Sequence, residues 1–201
     1  MGESKPEISL EGLRRGDRRE FARMVDGYSG PLYRLALKML GNTSDAEDAL
    51  QNTFIKAFQH VDKFEGRSSL STWLYRIASN EALMLLRKRH PETTFSDMAP
   101  EDEDIRNYDP VQFADWRYLP EEELLSAEAR TVLDRAVAHL PETLRIVFVL
   151  RDIEDLSIQE TSQVLGLSET AVKTRLLRAR LRLREELSSY YGHQVEKRSK
   201  K

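Results

Sequence analysis

Apolar positions recur three or four residues apart through most of this 201-residue chain, whereas apolar-polar alternation over the length of a strand is scarce. The pattern predicts an all-α protein. Leu50, Phe54, Ala57, Phe58 and Val61 form one helical series, with Glu47, Asp48, Gln51 and Asn52 on or beside its polar side. The run Ile146-Val147-Phe148-Val149-Leu150 has a strand-like composition, but it fits better within a helix that begins after Pro141. Apolar residues at helical spacing in Thr72-Trp73-Leu74-Tyr75-Arg76-Ile77-Ala78 favour a core position for Trp73 and Tyr75. Ser44-Asp45-Ala46-Glu47 and Ser157-Ile158-Gln159-Glu160 both fit the capping box, in which a serine and a glutamate satisfy each other's exposed backbone donors. Each is expected to open a helix.

From Ser157 the pattern predicts a short helix to about Leu165, a turn at Gly166, a cap at Ser168 and a second helix to about Ser188. That is the grammar of a helix-turn-helix. At 100° per residue, Val172, Leu176, Ala179 and Leu183 make one narrow stripe for packing on the preceding helices. Thr170, Thr174 and Arg178 lie roughly opposite, flanked by Lys173 and Arg175. Long cationic side chains beside a helix N-terminus can reach phosphates and base edges in a major groove. Six Lys/Arg against three Glu between 168 and 187 also suit a charged exterior helix with internal ion pairs. The turn and the cap favour DNA.

Charge then divides the chain. Residues 92–125 carry eleven acids against Arg106 and Arg117, a net of −9, which leaves +6 on the rest of a chain whose total is −3. Positive charge gathers at Arg87-Lys88-Arg89 and between Lys173 and Arg184. The connector that begins at Pro91 also holds Pro100, Pro110 and Pro120, and the four prolines argue against a continuous helix. The organisation expected is two small helical domains, 1–90 and 127–190, joined by an acidic flexible linker at 91–126 and followed by a basic, frayed tail at 191–201.

Several functions lose support. No window approaches a membrane span, the start lacks the apolar core of a signal peptide, and Pro6 breaks a myristoylation motif, so a cytoplasmic protein is expected. Without cysteine there is no disulfide, thiolate nucleophile or cysteine-bound zinc. His60, His90, His139 and His193 are dispersed, and neither GxxxxGK[ST] nor GxGxxG occurs, so no catalytic residue, metal site or cofactor is expected. The acids Glu101-Asp102-Glu103-Asp104 could hold a hard cation, but a solvated connector explains them better.

The segment from Ala136 to Leu187, AVAHLPETLRIVFVLRDIEDLSIQETSQVLGLSETAVKTRLLRARLRLREEL, closely resembles the promoter-binding domain of bacterial extracytoplasmic-function sigma factors, group 4 of the sigma-70 family. Ser44 to Arg89, SDAEDALQNTFIKAFQHVDKFEGRSSLSTWLYRIASNEALMLLRKR, resembles their N-terminal domain in order and spacing. The resemblance implies a subunit that binds core RNA polymerase, through its β′ clamp helices and β flap, and directs it to promoter DNA. It also implies an anti-sigma partner, soluble or membrane-bound, and a connector threaded near the polymerase active site.

Residue roles carry over on the same terms. Glu47, Asp48 and Gln51 would dock on the clamp, although helix N-terminal acids also answer the macrodipole; Asn52 stands where many members have an acid. The loop Phe64-Glu65-Gly66-Arg67-Ser68-Ser69-Leu70-Ser71-Thr72 would open and read the −10 element, with a flexible polar pocket from Gly66, Arg67, Ser68, Ser69, Ser71 and Thr72; Leu70 replaces a frequent Phe. Asn80 would read a base or else brace the loop, and Arg76, Arg87 and Arg89 would hold phosphates. Ser168, Thr170, Lys173, Thr174, Arg175 and Arg178 would bind the −35 element. A stand-alone DNA-binding regulator with a sensor or dimerisation domain is the competing possibility, and it gives no reason for the first half to hold a clamp-docking helix beside a polar loop.

Overall fold

The computed structural model describes residues 8–89 and 127–199. All the regular structure there is helical: α1 (Leu10–Arg14), α2 (Arg18–Leu40), α3 (Thr43–His60), a 3-10 turn (Val61–Lys63), α4 (Leu70–Arg89), α5 (Ala127–His139), α6 (Glu142–Phe148), a π turn (Val149–Ile153), α7 (Ile158–Leu165) and α8 (Glu169–Ser199). The acidic connector, including Glu101 to Asp104, and His90 lie outside the described residues.

In the first bundle α2, α3 and α4 pack mutually. Helix α2 is capped by Asp17, whose carboxylate accepts from the Arg19 amide at 2.8 Å, and it stops at Gly41, where φ is 74° and the amide donates to Leu37 O. That left-handed position suits glycine. The next cap differs from expectation. Asn42, not Ser44, accepts from the Asp45 amide, at 2.9 Å, so helix α3 starts ahead of the anticipated box and takes Ser44 into its first turn. Its buried stripe is Ala46, Ala49, Thr53 and Ala57, small residues that allow close approach of α2 and α4. Phe58, expected on the buried side, is 60% exposed and meets Phe21 edge-on, because Ala57 already fills the inward position at that level.

The second bundle sets α8 against α5, α6 and α7. The Ser157–Glu160 capping box forms as expected, Gly166 turns with φ 66°, and the Ser168 hydroxyl accepts from the Ala171 amide at 3.1 Å. Val172, Leu176, Ala179 and Leu183 are all buried. Helix α8 continues to Ser199, beyond the anticipated end near Ser188. The run at 146–150 is helical, as its position after Pro141 predicts, but it ends in the π turn, with Glu154 N bonded to Val149 O at 2.9 Å and Asp155 at φ 55°. The extra residue in that turn sends Asp152 towards α8 and Glu154 towards the first bundle.

The two bundles share one hydrophobic cluster and are tied by polar contacts. The Glu154 carboxylate, 2% exposed, accepts from the Tyr75 hydroxyl at 2.8 Å and from two Arg34 nitrogens at 3.2 Å each. Arg145 reaches from α6 to Met39 O at 2.8 Å, capping the end of α2, and Arg76 on α4 donates to Gln163 O on α7 at 3.0 Å. Lys38 pairs with Asp134.

Removing one donor from the buried Glu154 should loosen this contact. Tyr75→Phe should weaken it by about 1–2 kcal/mol, seen as a larger radius in small-angle scattering with unchanged helix content. Burial first, then the Glu154 charge, pushes the Tyr75 pKa far above its usual value. The contact is therefore at full strength below about pH 10 and weakens as pH rises further, where the unfolded form ionises first. Tyr75→Phe should flatten that alkaline limb, and an unchanged radius and pH profile would remove Tyr75 from the contact.

Candidate nucleic-acid interface

Three surfaces gather the residues singled out in the sequence. The first is the exposed N-terminal half of α8. Thr170 and Lys173 are exposed, while Thr174, Arg175 and Arg178 are half-buried at its edges. Burial, then the neighbouring Arg178 charge, lowers the Arg175 pKa. Ser168 is exposed, but its hydroxyl is engaged as the helix cap. The capping residue thus fixes the helix start, and the cations one turn on project beside it. Arg180, further along the helix, is turned inward. It grips the fully buried Asp152 carboxylate through Nε and a terminal nitrogen, at 2.9 and 2.7 Å.

The second surface is a groove of about 450 Å³ between α3 and α4. Lys56 and His60 face Trp73, Asn80, Met84 and Arg87 across it. Asn80 and Arg87 are exposed here, where sequence reasoning put an unpaired base and its phosphates. Trp73 is half in the core and half in the groove, stacked on Phe64 with centroids 5.0 Å apart. Tyr75 is fully in the core.

The Ser-rich loop is less of a pocket than its composition suggests. Ser69 accepts from the Thr72 amide at 3.0 Å and bonds the Thr72 hydroxyl at 2.8 Å, so it caps α4. Ser71 and Thr72 are buried, and Ser71 hydrogen-bonds Tyr28. Ser68 is half-buried, and Arg67 is exposed beside Glu65 at 2.8 Å. Arg76 is engaged by Gln163 O. Arg89 is built into the fold: it pairs with Asp45 at the start of α3 and donates to Leu40 O at 3.2 Å.

A third, separate face runs along α3. Glu47, Asp48 and Gln51 are exposed, as is Asn52. Ile55 and Phe58 continue the face, and sequence reasoning missed them because an amphipathic pattern assigns such residues to the core. The groove partners Lys56 and His60 were missed too, since contacts between α3 and α4 leave no mark in local spacing. Among the described residues no group of three His, Asp or Glu is placed to hold a metal ion, and no helix is long and apolar enough to cross a membrane.

Comparison with known proteins bears on both bundles. Residues 24–92 match the family model of sigma-70 region 2, and residues 130–183 match that of sigma-70 region 4. The chain is 35% identical over 178 residues to the ECF RNA polymerase sigma factor SigW of Bacillus subtilis, covering 89% of this chain and 94% of that one. It is 33% identical to the RNA polymerase sigma-H factor of Pseudomonas aeruginosa, covering 85% and 88%. The structure of CnrH in complex with the cytosolic domain of CnrY is similar, with a TM-score of 0.64 at 25% identity over 90% of this chain and 95% of that one. The sigma factor RpoE of Bartonella quintana, in complex with the anti-sigma factor NepR, gives 0.60 at 25% over 85% and 98%.

The geometry separates cations that hold the fold from cations that face solvent. Arg89→Ala should lower stability by about 1 kcal/mol, since it frees Asp45 and the Leu40 carbonyl at a partly exposed site. Lys173→Ala should leave melting unchanged within about 0.5 kcal/mol. Thermal denaturation of the two variants checks this, and equal melting temperatures would contradict the structural role of Arg89.

Proposed function

The chain belongs to the extracytoplasmic-function RNA polymerase sigma factors of the sigma-70 family, and from that premise we propose, residue by residue, how it acts as a group 4 member. It directs core RNA polymerase to promoters. Residues 1–90 form the domain that docks on the β′ clamp helices and reads the −10 element. Residues 127–190 form the domain that binds the −35 element beside the β flap, with 91–126 as connector and 191–201 as a basic tail. The protein catalyses nothing itself and works in the cytoplasm, where the polymerase is.

The observation that carries this reading is the pairing of two faces on one small bundle. An acid-and-amide face on α3 (Glu47, Asp48, Gln51) stands apart from a cation-rimmed groove beside Asn80. A free-standing regulator with a sensor or dimerisation domain has no need to combine these two faces on that domain. Thr170, Lys173, Thr174, Arg175 and Arg178 enter the major groove of the −35 element, with Ser168 setting the helix start. Asn80 and Arg87 meet the opened −10 strand, and Arg67, Ser68 and Ser69 lie beside it. The partners are core polymerase, promoter DNA and an anti-sigma factor, the last by likeness to a sigma factor solved with NepR.

Promoter geometry adds a requirement. Elements centred roughly 25 base pairs apart are separated by about 85 Å at roughly 3.4 Å per pair. Bundles joined by Glu154, Arg145 and Arg76 cannot span that distance while docked. The 37 residues from 90 to 126 can reach up to about 120 Å when extended. Promoter engagement therefore parts the bundles and releases Arg76 for the −10 strand.

Mixing the purified chain with core polymerase tests the function directly. Promoter-dependent transcripts should appear only with both present, and the two should co-purify. Asp48→Lys with Gln51→Ala should abolish co-purification without changing circular dichroism. Arg178→Ala should keep co-purification and lose about 1–3 kcal/mol of −35 discrimination. No co-purification by the parent chain would overturn the reading.

A further inference from the structure

The groove between α3 and α4 contains a carboxylate that promoter reading by Asn80 and the arginines does not use. Glu81 follows Asn80 on α4, is only 5% exposed and lines the groove. A buried carboxylate is costly unless it is paired and hydrogen-bonded. Lys56 Nζ from α3 engages Glu81 Oε1, and among the described residues no donor is bonded to Oε2. The pair is electrically neutral, so the carboxylate adds an acceptor without repelling a phosphate backbone.

The rest of the groove has the composition of a nucleotide site. Trp73, Ile77, Leu83 and Met84 give apolar and aromatic surface against which a base face can lie. Arg87 and His60 stand at the rim with the exposed part of Lys56, suited to phosphates. The Asn80 amide offers both a donor and an acceptor. A volume of about 450 Å³ is within the usual range of small-ligand pockets.

We propose that Glu81 is a specificity-determining residue of this groove: with Asn80 it selects an unpaired promoter base whose edge presents an amino group, and rejects thymine. The proposal rests on the sigma-factor reading and assigns the groove to the opened −10 strand. Cytosine N4 and adenine N6 carry N–H donors beside a ring-nitrogen acceptor, so Glu81 accepts from the amino group while Asn80 donates to the ring. Guanine also brings an amino group. Thymine has a single N–H between two carbonyl oxygens. In the pose that sets a cytosine N4 or adenine N6 amino group on Glu81 and the ring nitrogen on Asn80, thymine presents its O4 to the carboxylate and is repelled. Lys56 is a positioning residue that holds Glu81 in place and keeps the site neutral.

The test is transcription and permanganate footprinting with polymerase holoenzyme on promoters carrying each of the four bases at every −10 position. The parent should discriminate against thymine by about tenfold at one position. Glu81→Gln, whose amide supplies donor and acceptor alike, should reduce that discrimination to about twofold, leaving −35 binding and polymerase affinity unchanged. Lys56→Gln, which frees Glu81 from its position, should weaken opening at all sequences and also shrink the discrimination against thymine. If Glu81→Gln opens promoters with the parental ranking, the proposal fails while the sigma-factor reading stands. If both variants only melt earlier, with rankings unaltered, Glu81 and Lys56 are a structural pair and the proposal likewise fails. A parent chain that drives no promoter-dependent transcription would instead overturn the reading beneath it.

Discussion

Glu154 is the constraint on which the arrangement of this molecule depends. A carboxylate withdrawn from water has to be met by donors, and here they come from the other bundle, Tyr75 on α4 and Arg34 on α2. The π turn makes this possible. One extra residue in the turn directs Asp152 inward to Arg180 and Glu154 outward to the partner bundle. The same short segment thus locks α8 into its own bundle and docks that bundle on its neighbour. Buried ion pairs of this kind fix geometry more than they add stability, and Arg34 remains half in solvent.

The arginine-rich stretches divide along the same line. Arg180 and Arg89 are structural, the first on Asp152 and the second across the ends of α2 and α3. Arg145 caps α2 from the other domain. Lys173 and Arg87 face outward, where a phosphate can reach them. Arg76 is held across the bundle contact by Gln163 O.

Much of this was legible in the sequence. The stripe from Val172 to Leu183, the Ser157 box and the Gly166 turn are local features, and local spacing predicts them. The exposed acids of α3 followed from the same periodicity. Where expectation and structure part, contacts between distant segments or a competing local cap had taken over. Ser44 lost its cap to Asn42, Phe58 was displaced outward by small residues that draw three helices together, and the Ser-rich loop spent its hydroxyls on capping α4 and on the core. Tyr75 and Arg34, the partners of Glu154, lie 79 and 120 residues away in the chain and Lys56, the partner of Glu81, lies 25 away, beyond the reach of any helical period.

The proposed function requires the bundles to separate on promoter binding, and the absence of native cysteine makes that separation directly measurable. Donor and acceptor dyes at Asp26→Cys and Arg182→Cys, both exposed positions in different bundles, report the distance by energy transfer. The free protein should show high transfer. The promoter-bound holoenzyme should show separation beyond about 60 Å, as binding sites some 25 base pairs apart at roughly 3.4 Å each require. Unchanged high transfer in a holoenzyme that is making promoter-dependent transcripts would contradict the separation of the bundles.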